Sequence, residues 1–424
     1  MQLELIIFLT MVAVFVIGCF VLKLPVSIAM VAAAVAGALI GGEGFPIRHF
    51  VEGTFGYLDT ILVIAAAMIF MKAIQKSGTL DALSSLIIEK YHKRPTLLLI
   101  FLMLIVMFPG MITGSSTASV LSAGSLVAPV MIAMGIPIID TAAIIALGGL
   151  LGMIAPPVNI PVMIIGGGVD MPYSGFGIPL LILTIPVAIF SVIFLGRKHI
   201  KNFDYEELKT KIDLNAKNEF GLKVYIPVIV LVVLMILTKA VPNMMPNLGL
   251  PLIFLISSIV ALFTGRKINA IEVAKEAIND ALPVLGILMG VGMFIQIMTL
   301  TGVRGFVVVN CLSLPPALLY LGIAIAIPLF GAVSSFGSAS VLGVPFLLAL
   351  ISKNQIVTAA ALSLIAALGD LMPPTALAGL FAAQVVGVEN YFSVLKKCLV
   401  PALVIVIYGI LFIIFAKPIA SIIL

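Results

Sequence analysis

Charged residues are scarce in this sequence. Asp, Glu, Lys and Arg make up only 10% of its 424 residues, whereas 62% are hydrophobic. A soluble globular domain contains about 25% charged residues, so this composition excludes a water-soluble protein. A mean hydropathy of +1.31 fits a chain with roughly ten spans of about 20 residues each. We therefore predict an all-α polytopic membrane protein.

The residue patterns that several kinds of chemistry require are also absent. The three cysteines, Cys19, Cys311 and Cys398, are scattered in apolar segments, which argues against a disulfide framework or a cysteine metal site. The sequence contains no P-loop, nucleophile triad or metal-ligand pair, so we expect no ATP hydrolysis and no enzymatic activity. The net charge of +5 lies in a few loops without a basic stripe, which argues against nucleic-acid binding. The N-terminus lacks a basic region and a cleavage site, so we expect a retained first helix.

Two Gly/Ser-rich strings indicate an internal repeat. Gly110–Leu121 reads GMITGSSTASVL, and 221 residues later Gly331–Leu342 reads GAVSSFGSASVL. Each is followed by a second motif that begins with Gly and ends with Pro-Pro, at Gly152–Pro157 and at Gly369–Pro374. Further matches precede them in the same order: Lys23–Ser27 with Gly249–Ile253, Phe70 with Phe294, and Gly78 with Gly302. Such an ordered series predicts two copies of one unit.

The repeat divides the chain into a first unit (1–195), a polar linker (196–223) and a second unit (224–424). In the first unit we predict scaffold helices over 4–41, a re-entrant hairpin over 58–91, and broken helices over 95–134 and 139–168. In the second unit we predict scaffold helices over 224–264, an amphipathic segment over 267–281, a hairpin over 283–312, and broken helices over 316–351 and 355–388.

The topology follows from counting membrane crossings. If the hairpins do not cross, five crossings separate them, so the two units have opposite orientations, as in inverted-repeat carriers. The linker contains seven Lys or Arg residues, and the positive-inside rule places it in the cytoplasm. We thus predict ten transmembrane helices and two hairpins in a bacterial inner membrane, with both termini periplasmic. The basic cluster Lys90–Arg94 then lies outside, against the rule.

The helix breaks supply candidate ligands for a small cation. Gly and Pro interrupt helices, and unwound backbone is tolerated at membrane depth only where protein or a water-filled cavity satisfies it. Free carbonyls and the hydroxyls of the stretches 113–119 and 334–340 suit such an ion, and they make Thr113, Gly152 and Ser335 candidates. The same hydroxyls could instead pack as small residues or bond to the preceding turn.

Ionisable groups inside the membrane are candidates for substrate binding. Asp370 lies beside the second proline pair, where it could also form a salt bridge or cap a helix. Lys72, Lys76 and Arg304 lie near the hairpin tips, where they could face an anionic substrate or snorkel to the interface. Asp59 and Asp280 are explained as helix caps. The candidate substrate-binding residues are Ser77, Thr79, Thr117, Asn159, Thr301, Arg304, Ser338 and Asp370.

The run Phe108–Pro129 resembles the first Gly/Ser signature of the large membrane subunit of TRAP transporters (DctM-like), within the ion-transporter superfamily. The two Gly-x-x-x-Pro-Pro motifs resemble that family's helix breaks, and the order of segments matches over nearly the whole chain. The resemblance implies an elevator carrier, in which hairpins and broken helices slide against a scaffold. It implies Na+-coupled symport of an organic anion such as a C4-dicarboxylate or sialic acid. It also implies a small four-helix membrane subunit and a periplasmic substrate-binding protein as partners.

Carried over position by position, the resemblance implies Na+ ligands at Ser115 and Ser116 in the first unit, and at Gly337, Gly369, Met372 and Thr375 in the second. Met372 departs from the threonine that the family has before the second Pro-Pro, and Asp370 is an unusual neighbour that could indicate proton coupling. Na+-coupled uptake of a small organic anion is thus the leading prediction. The alternative is a stand-alone proton-coupled or exchange carrier of the same superfamily. A channel or membrane scaffold is disfavoured because neither needs two inverted units with broken helices.

Overall fold

The computed structural model describes residues 2–200, 221–240, 246 and 248–424. Within these ranges every regular element is helical, as the composition predicts. Eight of the helices are long and apolar enough to cross a membrane. The centre of the predicted linker, 201–220, lies outside the described residues. The chain is therefore an all-helical polytopic membrane protein.

The first half contains eleven α-helices. They are α1 (Gln2–Phe20), α2 (Val26–Ile40), α3 (Ile47–Phe55), α4 (Leu58–Lys76), α5 (Thr79–Tyr91), α6 (Pro95–Thr113), α7 (Ser116–Ser119), α8 (Ser125–Ala133), α9 (Ile138–Ile154), α10 (Ile160–Gly167) and α11 (Gly177–Gly196). A π-helical turn, Val120–Gly124, joins α7 to α8.

The second half repeats this order. Its helices are α12 (Ile226–Ala240), α13 (Gly249–Thr264), α14 (Ala270–Leu300), α15 (Val303–Leu312), α16 (Pro316–Gly331), α17 (Ser335–Ser338), α18 (Val344–Ala349), α19 (Gln355–Ala367), α20 (Leu377–Val386), α21 (Tyr391–Ile414) and α22 (Ala416–Ile423). A π-helical turn, Ala339–Gly343, again joins two short helices. The 31-residue α14 occupies the position of α3 and α4 together.

The continuity of α14 differs from the sequence prediction, which separated an amphipathic segment (267–281) from a hairpin (283–312). In the first half Gly56 ends α3 and Tyr57 precedes α4. In the second half no glycine stands at the matching position, and the helix continues through Pro283. Only the turn at Thr301–Gly302, where Gly302 has φ +74°, separates α14 from α15.

The segment predicted as the broken helix 95–134 is folded back on itself. Gly114 adopts φ +66° and ends α6, and a Cβ on Gly110 would collide with the Ser119 hydroxyl of α7. α6 therefore packs against α7 and the π-helical turn that follows it. We call residues 95–133 the first hairpin; its tip is Gly114–Ser115.

The segment predicted as the broken helix 316–351 folds in the same way. Ser338 donates a hydrogen bond of 2.6 Å to the Ile327 carbonyl, eleven residues back on α16. α16 packs against α17 and its π-helical turn. We call residues 316–349 the second hairpin; its tip is Ala332–Ser334. Both corrections share a cause, since the direction in which a chain leaves a Gly/Ser break is set by tertiary packing.

The segments 58–91 and 283–312, predicted as re-entrant hairpins, contain helix–turn–helix units whose turns pack on the opposite half. The Arg266 N–H donates to the Ser77 carbonyl at 3.0 Å. In the equivalent place, a Cβ on Gly41 would lie 2.8 Å from the Thr301 side chain. Likewise α4 packs on α13, and α14 packs on α2. The same kind of contact therefore occurs twice, with the roles of the two halves exchanged.

Each hairpin crosses the helix that follows it, and glycines at the crossing point let the two backbones touch. A Cβ on Gly110 would lie 2.8 Å from the Gly152 carbonyl carbon, and one on Gly331 would lie 2.9 Å from the Gly369 Cα. α9 and α10 are separated at Pro156–Pro157, and α19 and α20 at Pro373–Pro374. Each half thus brings a hairpin tip close to the break of its own broken helix.

Candidate functional site

A cavity of about 650 Å³ lies between the two halves. Both hairpin tips, the second helix break, α4 and α14 contribute to its wall. Its volume falls within the range of about 300–1,000 Å³ that is usual for small-molecule sites. Seven of the residues selected from the sequence line it: Thr113, Ser115, Ser116, Thr117, Ser335, Asp370 and Thr375.

The Asp370 carboxylate joins the two hairpins. Ser335, directly after the second tip, donates a hydrogen bond of 2.6 Å to Asp370 Oδ1. Ser116, directly after the first tip, donates a short hydrogen bond to Asp370 Oδ2. Asp370 is only 7% exposed, so these two hydroxyls replace water around a carboxylate that would be costly to bury alone.

The hairpin tips are built by helix capping. The Ser115 hydroxyl accepts a hydrogen bond of 3.2 Å from the Ala118 N–H, and the Ser334 hydroxyl accepts one of 3.1 Å from the Gly337 N–H. Serine at an N-cap satisfies backbone donors that a helix leaves unpaired. Capping therefore fixes the first turns of α7 and α17, and it directs Ser116 and Ser335 toward the carboxylate.

Several carbonyls at the breaks already accept side-chain hydrogen bonds. Thr375 donates to the Ala332 carbonyl at 2.7 Å, and Tyr391 donates to the Leu371 carbonyl. Asn159 donates to the Ile154 carbonyl at 2.8 Å, and it also caps α10. These contacts compensate the unwound backbone.

Ten residues selected from the sequence lie outside the cavity wall. Gly152 and Gly369 stand at the backbone crossings, and a Cβ on Gly337 would contact Phe15 at 3.1 Å. Ser77, Thr79 and Thr301 lie at turns against the other half. The remaining four are Asn159, Arg304, Ser338 and Met372.

Two more charged residues belong to the cavity. From the sequence, Lys72 could face an anionic substrate or snorkel to the interface, and Asp280 is explained as a helix cap. Lys72 and Asp280 both line the cavity, and the Lys72 ammonium lies 2.6 Å from Asp280 Oδ2. Asp280 is an interior residue of α14 and not a helix cap. The charge of Lys72 inside an apolar helix was the available signal. Its partner, 208 residues away, could not be identified from the sequence.

Comparisons with known proteins support a transporter. The model of the family CitMHS, described as "Citrate transporter", matches residues 3–278. The structure resembles the antimetabolite efflux pump MtrF of Neisseria gonorrhoeae, with a TM-score of 0.59 and 16% identity over 88% of this chain and 84% of that one. It also resembles the YdaH transporter of Alcanivorax borkumensis, with a TM-score of 0.57 and 15% identity over 83% and 84%. No curated protein matches the sequence.

These findings correct the family suggested by the short motifs. The matching family is CitMHS, and the resemblance to the TRAP large subunit is not supported. The four-helix subunit and the periplasmic binding protein rested on that resemblance alone, so they lose their basis. The low identities to MtrF and YdaH establish a shared fold and no more.

Proposed function

Since the chain belongs to the CitMHS citrate transporter family, we propose that it is a stand-alone secondary carrier that moves a citrate-like organic anion together with a coupling cation. The observation that carries the proposal is the buried Asp370 carboxylate, held by one hydroxyl from each hairpin tip beside the cavity. A site shared between two repeated units is the arrangement by which carriers expose one site to either side in turn.

An inverted membrane topology is part of this proposal. We infer that the two hairpins, 95–133 and 316–349, enter and leave the membrane on one side each. In the first half α1, α2, α4, the α9–α10 pair and α11 then cross, and their counterparts cross in the second half. Five crossings in a half give the two units opposite orientations. The reciprocal packing of α4 on α13 and of α14 on α2 supports this arrangement.

The distribution of basic residues supports the same topology. With the linker in the cytoplasm, the turn at Ser77–Gly78 and the cluster Lys90–Arg94 also lie there. The hydrogen bond between Ser77 and Arg266 is consistent with this, because it joins two cytoplasmic turns. The Lys and Arg residues left outside are five of 23, namely Arg48, Lys239, Arg304, Lys353 and Lys417. This agrees with the positive-inside rule better than a hairpin at 58–91 does.

We assign the coupling ion as a proton carried by Asp370. Carbonyls of Ile154, Ala332 and Leu371 already accept side-chain hydrogen bonds, which reduces the ligands available to a metal cation. A carboxylate between two hydroxyls can take up and release a proton without further ligands. Na+ at the same carboxylate is the second candidate. It is favoured by the hydroxyls of Thr113, Ser115 and Thr375, which line the same cavity.

Uptake of labelled citrate into proteoliposomes, with proton and Na+ gradients imposed separately, tests the function. We expect a proton gradient directed inward to drive accumulation, and a Na+ gradient at equal internal and external pH to have no effect. Accumulation driven by Na+ alone would select the second candidate. Failure of citrate and of shorter di- and tricarboxylates to enter under either gradient would refute the carrier function.

A further inference from the structure

Lys72 is the only cationic residue that lines the cavity in the part of the chain that the structure describes. The other charged residues of the lining are Asp280 and Asp370. An anion that enters this space therefore meets two carboxylates and one ammonium group. Without a cation nearby, it would be repelled and would lose its hydration without compensation. Lys72 is the group that can reverse this balance.

Lys72 is paired with carboxylates of α14. Its ammonium lies 2.6 Å from Asp280 Oδ2 and 3.8 Å from Glu276 Oε2. One turn along α4, Lys76 binds Glu276 at 2.5 Å and Glu272 at 3.3 Å. Three carboxylates of α14 thus face two lysines of α4, and one negative charge remains in excess.

Comparison with the equivalent positions of the repeat shows which contacts of this cluster serve helix packing. At the spacing of 224 residues that pairs Phe70 with Phe294, Lys72 corresponds to Gln296 and Glu276 to Glu52. Gln296 of α14 donates to Glu52 of α3 at 3.4 Å, so the equivalent contact in the other half is made by a neutral donor. Helix packing therefore needs a hydrogen-bond donor at this position and not a positive charge.

The ion pair between Lys72 and Asp280 has no counterpart at the equivalent positions of the repeat. Asp280 corresponds to Gly56, which has no side chain, and Gln296 carries no charge. Of the two equivalent contacts, only the one between Lys72 and Asp280 has both charges, and it is the one that lines the cavity. Lys72 is 20% exposed and Asp280 is 53% exposed, so Asp280 is free to move into solvent when it loses its partner.

We propose that Lys72 is the residue that binds a carboxylate of the transported anion, and that Asp280 occupies Lys72 until the anion displaces it. This inference rests on the proposed carrier function and names its anion-binding group. Exchange of one carboxylate partner for another keeps the ammonium group paired throughout, so substrate entry does not leave a partly buried charge unpaired. Asp280 thereby sets a threshold, because a ligand must bring an anionic group of its own to take its place.

The test measures citrate uptake by proteoliposomes containing the full chain as wild type, Lys72→Gln, Lys72→Arg, Asp280→Asn or Lys76→Gln. Lys72→Gln copies the residue that the second repeat uses at the same contact. We expect it to raise KM about 10- to 100-fold, as the loss of a charged hydrogen bond does, with a maximal rate within about threefold of wild type. Lys72→Arg should restore most of the affinity, and Asp280→Asn should lower KM.

Lys76→Gln is the matched control, because Lys76 belongs to the same ion-pair cluster but does not line the cavity. It should leave KM within about twofold of wild type. A second readout compares tricarballylate with glutarate, which lacks one of its carboxylates. The loss of affinity caused by that missing carboxylate should be large in wild type and small in Lys72→Gln if the carboxylate binds Lys72.

The outcomes distinguish the two proposals. If wild type takes up no carboxylate, the carrier function fails. If wild type transports and Lys72→Gln keeps its KM, or if Lys76→Gln raises KM as much as Lys72→Gln does, the role of Lys72 is refuted. If Lys72→Gln lowers only the amount of folded protein, the maximal rate falls while KM stays at the wild-type value. That result also refutes the role of Lys72.

Discussion

At the residue scale, the site depends on one carboxylate and two hydroxyls that belong to segments far apart in sequence. Ser116 and Ser335 hold Asp370 from opposite halves. Protonation of Asp370 would weaken both hydrogen bonds, because a neutral carboxyl group is a poorer acceptor than a carboxylate. A change in one proton can thus alter how tightly the two hairpin tips are held together.

Asp370→Asn should abolish citrate accumulation driven by a proton gradient, because the amide cannot carry the proton. Exchange of internal for external citrate needs no net proton movement and should persist at about a tenth or more of the wild-type rate. Counterflow and gradient-driven uptake in the same proteoliposomes measure both. Asp59→Asn is the control, since Asp59 is exposed at the start of α4 and lies outside the cavity wall. Accumulation that persists in Asp370→Asn would contradict the proton assignment.

At this scale, part of the candidate site can be selected from the sequence. The Gly/Ser strings and an acidic residue beside a proline pair stand out in an apolar chain, and they identify Ser116, Ser335 and Asp370. Gly369 is harder to interpret from sequence. A glycine that exposes a carbonyl to an ion and a glycine that lets two backbones cross look the same in a sequence. In the structure, Gly369 lets its backbone cross that of Gly331.

At the element scale, the four breaks lie where Gly and Pro predict them, but the path of the chain after each break does not follow from local sequence. Gly114 turns the chain back into a hairpin, whereas Pro156–Pro157 separates α9 from α10. Both kinds of break remove helical hydrogen bonds. The neighbours decide the direction, because only a glycine at position 110 leaves room for both the Ser119 hydroxyl of α7 and the α9 backbone.

Gly331→Ala tests the crossing of the second hairpin with its broken helix. The added Cβ would lie 2.9 Å from the Gly369 Cα, so the backbones must separate, at a cost of about 1–3 kcal/mol. We expect a lower midpoint of thermal unfolding, followed by circular dichroism in detergent. Gly322→Ala, on the same helix α16, is the control because a Cβ there meets nothing within 4 Å. An equal midpoint for both variants would contradict the role of the crossing.

At the scale of the whole molecule, the two halves are related by contacts that occur twice with the partners exchanged. The turn at Ser77 meets the end of α13, and the turn at Thr301 meets the end of α2. The sequence predicts the repeat from matching motifs. It does not predict which segments form the hairpins, and the basic cluster Lys90–Arg94 is the charge pattern that conflicted with the sequence-based topology.

Cysteine labelling tests the inverted topology. Glu43 and Lys267 occupy equivalent exposed positions at the repeat spacing of 224 residues. In a chain with Cys19, Cys311 and Cys398 replaced by Ala, we expect a membrane-impermeant maleimide to label Glu43→Cys in intact cells. Lys267→Cys should react only after the cells are opened. Labelling of both positions from the same side would contradict the inverted arrangement.

The glycine crossings also have a mechanical consequence. Where two backbones touch without side chains between them, the contact is close-packed and transmits strain, so we expect each hairpin and its broken helix to move as one body. A displacement must then be absorbed at the joints of that body. For the first half, these are the short connections His92–Arg94, between α5 and α6, and Gly168–Phe176, between α10 and α11. Stiffness inside and compliance at two joints would convert a local change at Asp370 into movement of the whole unit.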